Sequence, residues 1–351
     1  MNGTPMTRLA FTPRSRVRGY TMMELVIALG IGVAILLALM LMFSRNSGNQ
    51  QEVERTLRQI ENARFAVDTL TEDVLHAGFF SDLNPDRVNP PVVYTSPSPC
   101  AVATTAQGWV QADPAIGTAM QVPRPVEGIP AATAVGCLAN RRAGTEAIVL
   151  RRSETAPPIV LTAARTDNVY IQTSRCRDEW GQVRVAASPG AEPEKTFNLL
   201  NANCTAGNVN NAVRRLLQRT YFVATCNDCA NNDGIPTLKR VEMIDGALRT
   251  TSIAEGVENL QFEFGVDTSG DGVPDTFLTA GAVPLADWQN VVSVRMHVLT
   301  RGTQPSPGHV ETRTYQVGPN VTLAASGFTD GFKRSLLSTT ARVNNVGSRR
   351  E

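Results

Sequence analysis

A run of 19 residues from Leu25 to Phe43 contains no charged or polar side chain, and it limits this chain more than any other feature. Apart from Gly30 and Gly32 it is built only of Leu, Ile, Val, Ala, Met and Phe. At about 1.5 Å rise per residue, such a helix approaches the roughly 30 Å hydrocarbon thickness of a bilayer. The run predicts one transmembrane helix over 25–43. Upstream stand Arg8, Arg14, Arg16 and Arg18 with no acidic residue, whereas downstream Arg45 is soon balanced by Glu52 and Glu54. The positive-inside bias keeps the N-terminus cytoplasmic and puts everything after about residue 45 on the other side. An ordinary secretory signal would end in a small-x-small cleavage site, which Leu41-Met42-Phe43-Ser44-Arg45-Asn46 does not offer, so the run is expected to stay with the chain. Glu24 is the exception at its edge. A carboxylate there costs up to about 2.5–3.5 kcal/mol at mid-bilayer and less near the interface, so it either finds a partner or reaches the headgroups.

The junction Arg18-Gly19-Tyr20-Thr21-Met22-Met23-Glu24 joins a basic leader ending in Gly, an aromatic first residue, a Glu four positions beyond it and the apolar run. This combination resembles the start of a type IV prepilin. The resemblance implies that residues 1–19 are a cleaved leader, that a prepilin peptidase cuts between Gly19 and Tyr20, and that Tyr20 is N-methylated. Tyr stands where Phe is more usual. It also implies that Glu24 pairs with the freed amine of a neighbouring subunit, the partner that membrane physics asks for. Of the 33 basic residues four lie in the leader, leaving 29 against 32 acidic ones, about −3 after the cut. Nothing in that balance points to a nucleic-acid surface. Only Lys195, Lys239 and Lys333 are lysines.

Beyond the membrane run, Val53, Leu57, Ile60, Ala63, Val67, Leu70 and Val74 recur every three or four residues, which predicts an apolar helical stripe. No Pro interrupts Tyr20 to Ala77, and Gly78 is suited to end the helix. One helix over 20–78 is expected, roughly 87 Å long at 1.5 Å per residue, membrane anchor in its first half and spine of a domain in its second. Residues 81–130 hold nine of the 21 prolines, among them Asn89-Pro90-Pro91 and Ser96-Pro97-Ser98-Pro99, so 79–143 reads as a looped connection.

From Gly144 to the end the pattern is of strands. Glu146–Arg151, Asn168–Gln172, Tyr221–Thr225 and Leu238–Ile244 are short and apolar or alternating, Val257–Phe264 alternates, and Val292, Val294, Met296 and Val298 share one face. Glu311 to Val317 is expected to add another strand. Antiparallel hairpins of this kind cover the helix stripe on one face and leave the other wet. Gly256-Val257-Glu258-Asn259-Leu260-Gln261, Gly265-Val266-Asp267, Val294-Arg295-Met296 and Gly144-Thr145-Glu146-Ala147 look like segments of PilW-type minor pilins, with Thr339 to Asn345 a looser match to the family's ending. Together the matches cover most of residues 15–80 and 250–300, with little to match in the middle of the chain.

Six cysteines, Cys100, Cys137, Cys176, Cys204, Cys226 and Cys229, all fall on the side assigned to the periplasm, where an even number favours disulfides. Fifteen pairings are open; loop proximity suggests Cys100–Cys137, Cys176–Cys204 and Cys226–Cys229. Cys226-Asn227-Asp228-Cys229 has the spacing of a redox dithiol, which raises the alternative of a membrane-tethered thiol oxidoreductase. Asp228 beside the sulfurs argues against it, because redox sites use cations or helix N-termini to favour the thiolate. His76, His297 and His309 form no zinc motif with these cysteines. Asp267, Ser269, Asp271 and Asp275 stand at the first, third, fifth and ninth positions of a calcium-loop pattern, with Gly272 sixth and the Val273 carbonyl seventh. Leu278 replaces the bidentate Glu and strands flank the loop, so the choice is between a hairpin-borne Ca2+ site and an acidic β-turn.

No nucleophile elbow, phosphate loop or His-Glu-x-x-His is present, and Gly30-x-Gly32 lies inside the membrane run. The expectation is an α+β, pilin-like fold: the long helix packed on an antiparallel β-domain over 144–351 with disulfide-stapled loops. The resemblance implies a minor pilin, not an enzyme, working in the inner membrane and then in a filament or its tip. Its implied partners are the peptidase, other minor pilins, the major pilin and a tip adhesin, with roles in adhesion and twitching motility and no cofactor required. A type II secretion minor pseudopilin shares the same start and is the alternative of the same class.

Overall fold

The computed structural model describes residues 19–85, 88, 91–102, 107–110, 119–160, 168–179, 181–187, 196–204 and 210–350. The arginines Arg8, Arg14, Arg16 and Arg18 and the dipeptide Asn89-Pro90 lie outside the described residues. The chain forms two compact units, Met1–Glu54 and Arg55–Glu351. Helix α1 (Met22–His76) is 55 residues long and begins in the first unit. In that unit the span Met22–Phe43 is apolar and long enough to cross a membrane, and the side chains of Leu25–Phe43 are exposed apart from a partly covered Gly32. The helix stops two residues before Gly78, whose φ of +77° suits a residue without Cβ and whose N–H donates to Arg151 O at 2.9 Å.

The second unit holds two main sheets, every ladder in them antiparallel. The larger runs through β3 (Val126–Ile129), β4 (Ala147–Ser153), β7 (Arg214–Ala224), β5 (Val169–Thr173) and β6 (Val183–Ala187). The C-terminal half of β7 also pairs with β8 (Thr237–Ile244), which carries β9 (Ala247–Glu255) at its edge. The smaller sheet has the order β11 (Thr276–Thr279), β10 (Val257–Val266), β12 (Val291–Arg301), β15 (Arg334–Arg342). A parallel pair, β1 (Val93–Thr95) with β2 (Gln121–Pro123), and an antiparallel pair, β13 (Tyr315–Gln316) with β14 (Thr322–Leu323), complete the strands.

The main core lies where the C-terminal part of α1 meets both sheets. Ala66, Leu70, Val74 and Ala77 pack with Ile148 and Leu150 of β4, Tyr221 and Val223 of β7, Leu260, Phe262 and Phe264 of β10, and Val294, Met296 and Val298 of β12. The alanines matter because their short side chains let the helix backbone lie close to the strands.

Several expectations need correction. Segment 79–143 contains β1, β2 and β3 and is not only a connection. Arg151, fully buried, explains how this Pro-rich stretch is held: its guanidinium donates to Pro97 O at 2.9 Å and Arg124 O at 3.1 Å, and meets Glu127 at 3.1 Å. Glu311–Val317 supplies only the two residues of β13, whereas the last long strand is β15. A wet face is left at β9 and β15 but not at β4. Every residue of β4 is buried, because a second cluster of Ile129, Leu138, Val149, Phe222 and Val241 covers the side of the sheet away from the helix.

Leu70 is fully buried in this core. Leu70→Ala is expected to destabilise the detergent-extracted protein by about 2–5 kcal/mol, read from denaturant unfolding.

Candidate functional site

Thr21 stands immediately before helix α1 and caps it. Its hydroxyl accepts the N–H of Glu24 at 3.2 Å, and its carbonyl accepts the N–H of Leu25 at 3.1 Å. This is the Ser/Thr-x-x-Glu arrangement that fixes a helix start and sets an acidic residue in the first turn, where the helix dipole favours it. The Gly19–Tyr20 bond therefore stands outside the helix. Tyr20 is 82% exposed, and a Cβ added at Gly19 would meet nothing within 4 Å. Residues 19–24 thus combine an accessible peptide bond with a carboxylate set in the first helical turn, at the edge of an apolar span.

The domain-facing side of α1 takes Ala63, Leu70 and Val74 from the stripe that apolar spacing selects, with Val67 packed against the core, but not its first three members. Gln59, Ala63, Ala66, Leu70, Asp73, Val74 and Ala77 are the buried positions. Val53, Leu57 and Ile60 are 58%, 52% and 52% exposed, and Phe65 is exposed as well. At 100° per residue the 53–57–60 row lies more than a quarter turn from the buried face. Polar side chains fix that rotation: Arg55 donates to Pro305 O, Gln59 to Thr300 O and Asn62 to Glu255 O, at 3.3, 3.3 and 3.2 Å.

Asp73 anchors the same face by charge. Its Oδ1 accepts Arg152 Nη2 at 2.9 Å and Arg219 Nη1 at 2.8 Å, and its Oδ2 accepts the Tyr221 hydroxyl. Glu242 extends the group, with Arg219 at 3.0 Å, Arg240 at 3.3 Å and Arg215 at 3.6 Å. Burial alone would raise the Asp73 carboxyl, but Arg219, the Tyr221 hydroxyl and Arg152 together hold it below its ordinary value. Burial and the Asp73 charge push the Tyr221 hydroxyl up.

Two of the family-like segments meet at the junction of the sheets. The chain leaves the larger sheet at β9 and enters the smaller at β10 through Gly256, φ +80°, where a Cβ would come within 2.4 Å of Arg301 O. Gly144-Thr145-Glu146 runs beside β10: Glu146 N–H donates to Leu260 O at 2.9 Å, its side chain accepts the Phe262 N–H at 2.8 Å, and Gln261 Nε2 donates to Gly144 O at 2.7 Å. Glu146 thereby ties β4 to the edge of β10. Burial raises its carboxyl to about 7 even though the Phe262 N–H and Arg141 draw it down.

The six cysteines form three bridges, Cys100–Cys137, Cys176–Cys204 and Cys226–Cys229, joining neighbours in chain order. Asp178 lies within 4.8 Å of the sulfurs of Cys176 and Cys204, but bridged sulfurs are not metal ligands. In the acidic loop Asp267 accepts the N–H groups of Gly270 and Gly272 at 2.6 and 2.9 Å and meets Arg350 at 3.3 Å. Asp271 accepts the Val273 N–H, and Asp275 accepts from Thr268 and Ser269. Among the described residues the three aspartates do not gather as a metal-ligand group. As arranged, Asp267 is engaged by backbone donors and a guanidinium. A cleft of about 390 Å³ lined by Asp82, Thr173, Ser174, Arg175 and Val183 holds the Arg175–Asp82 pair at 3.8 Å, and the Ser174 hydroxyl donates to Glu179 at 2.8 Å.

Residues 220–345 match the sequence model of the family described as Type IV Pilus-assembly protein W. That range takes in β8 to β15 and the segments at Gly256–Gln261, Gly265–Asp267 and Val294–Met296. The PilW-type resemblance stands over that range of the chain. No curated protein matches the chain. Among solved structures a type IV-like pilin from Thermus thermophilus is similar at 10% identity and TM-score 0.33, covering 82% of this chain and 98% of that one. A likeness of that size carries no argument here.

Removing the Asp73 carboxylate leaves Arg152 and Arg219 buried without their counter-charge, so Asp73→Ala is expected to destabilise by about 3–5 kcal/mol in denaturant unfolding. The two carboxyls have opposite pH signatures. The lowered Asp73 value means its stabilisation is present above about pH 3.9, the ordinary aspartate value, and is lost below it. The raised Glu146 value means its contribution is full below about pH 4.3, the ordinary glutamate value. It declines as pH rises through about 7. Glu146→Gln keeps an acceptor for the Phe262 N–H and is expected to remove that decline, as read from melting temperatures on either side of the window.

Proposed function

We propose that the chain is made as a prepilin, cut between Gly19 and Tyr20, methylated on Tyr20, and assembled as a minor pilin into a type IV filament. The observation that carries this reading is the N-terminal arrangement. An exposed Gly19–Tyr20 bond precedes a Thr21-capped helix, and the apolar span Met22–Phe43 follows with Glu24 at its edge. A peptidase at the cytoplasmic surface needs an accessible, non-helical bond, and Thr21 keeps the helix from starting before it. Once the leader is gone, the new amine of one subunit and Glu24 of another are opposite charges at a similar depth. In apolar surroundings, pairing offsets the desolvation of both.

The match of residues 220–345 to a pilus-assembly family supports the pilus over a secretion pseudopilus as the destination. Within the pilus, a subunit with a large bridged domain suits the tip, where it has neighbours on one side only. There it would help prime growth together with other minor pilins and support a tip adhesin.

Two substitutions separate the steps. Gly19→Ser is expected to leave the precursor uncut in the membrane, seen as the larger band on immunoblots. Glu24→Ala is expected to be cut normally yet to be missing from sheared filaments; its incorporation at the native level would remove the pairing argument.

A further inference from the structure

Cys226 and Cys229 lie in the loop that joins β7 to β8, and the strand after the loop brings a cation to them. Lys239 pairs with Phe222 across the ladder and is one of only three lysines in the chain. It is buried, and its ammonium donates to Asn227 O at 2.9 Å and stands 3.4 Å from Cys229 Sγ. Cys226 is 3% exposed, whereas Cys229 is only partly buried. Asp228, the acidic neighbour, turns away: its carboxylate accepts from the N–H groups of Ala230 and Asn231 and from Asn231 Nδ2.

The loop also keeps its shape by other means. Asp233 accepts the N–H groups of Asn227, Asp228 and Ile235 at 3.0, 2.8 and 3.1 Å, Asn227 Nδ2 donates to Glu255 at 2.7 Å, and Arg301 donates to Gly234 O at 2.9 Å. The Cys226–Cys229 bridge spans three positions, against 37 for Cys100–Cys137 and 28 for Cys176–Cys204. A short bridge across a loop already closed by hydrogen bonds restrains little of the unfolded chain.

We propose that Cys226–Cys229 is an exchangeable disulfide, a substrate site for dithiol reagents or dithiol proteins outside the cytoplasm, while the other two bridges are permanent staples. The thiolate of an external dithiol attacks Cys229 Sγ, the sulfur–sulfur bond breaks, and its electron pair goes to Cys226, which takes up a proton. The second thiolate of the same reagent then attacks its own sulfur in the mixed disulfide. Cys229 leaves as a thiolate beside the Lys239 ammonium, and the reagent departs as its disulfide. The pair gains two electrons and one proton, and the reagent's second proton goes to solvent. Lys239 favours the open form because it pairs with the thiolate and has only a neutral sulfur to face in the bridge. The proposal is independent of the pilus reading, since it concerns only the domain.

The test is native reduction of the full-length, detergent-extracted protein over a dithiothreitol series, followed by alkylation and peptide mass mapping. Cys226 and Cys229 are expected to be labelled at a dithiothreitol concentration at least about ten-fold lower than the other four cysteines, the size of effect an adjacent opposite charge has on a thiol. Lys239→Gln is expected to raise that concentration about ten-fold and Lys239→Arg to restore it. Labelling of the pair together with or after the other cysteines overturns the proposal, and that comparison needs no variant. An unchanged midpoint in a folded Lys239→Gln protein overturns the role of the lysine.

Discussion

The Asp73 carboxylate is the point on which the domain turns. A charge inside a core is tolerated only where its counter-charges are already in place. Here they come from two different strands, Arg152 on β4 and Arg219 on β7, with the Tyr221 hydroxyl completing the set. That requirement sets both the height of the helix along the sheets and its rotation about its own axis. The alanines at 63, 66 and 77 then face the strands, and the bulkier Leu57 and Ile60 turn outward. An apolar contact alone would tolerate a slide or a small turn of the helix. Three hydrogen-bonded partners around one carboxylate do not.

Much of this was legible in the sequence, and what was not has identifiable causes. The apolar run, the helix stop at Gly78 and the alternation in β10 and β12 show directly because each obeys a single local rule. The buried face of α1 does not, since it includes Gln59 and Asp73 and its apolar members are mostly alanines. Apolar spacing selects the buried Ala63, Leu70 and Val74 but joins them to the exposed Val53, Leu57 and Ile60, and the tertiary polar contacts reveal the true rotation. Strands β1, β2 and β3 were hidden because proline density reads as loop. The connections between them are held by Arg151 of β4, which donates to the carbonyls of Pro97 and Arg124. Thr21 as helix cap was available in Thr21-Met22-Met23-Glu24, a four-residue pattern overshadowed by the apolar run after it. Lys239 was not available, because its place beside Cys229 follows from the β7–β8 register.

The domain and the N-terminal helix answer different physical demands. In the domain, apolar side chains are satisfied internally and three bridges tie its loops. Among the described residues the apolar side chains of the span Met22–Phe43 are exposed, as are Val53, Leu57 and Ile60. Such surfaces persist only against lipid or against other chains.

The most direct test of this account is the intact mass and N-terminal sequence of the membrane-extracted protein, measured without reduction. A chain beginning at methylated Tyr20, and lighter by the six hydrogens of three bridges, is the predicted result. A chain still beginning at Met1 would contradict it, leaving a membrane-anchored domain with no route into a filament.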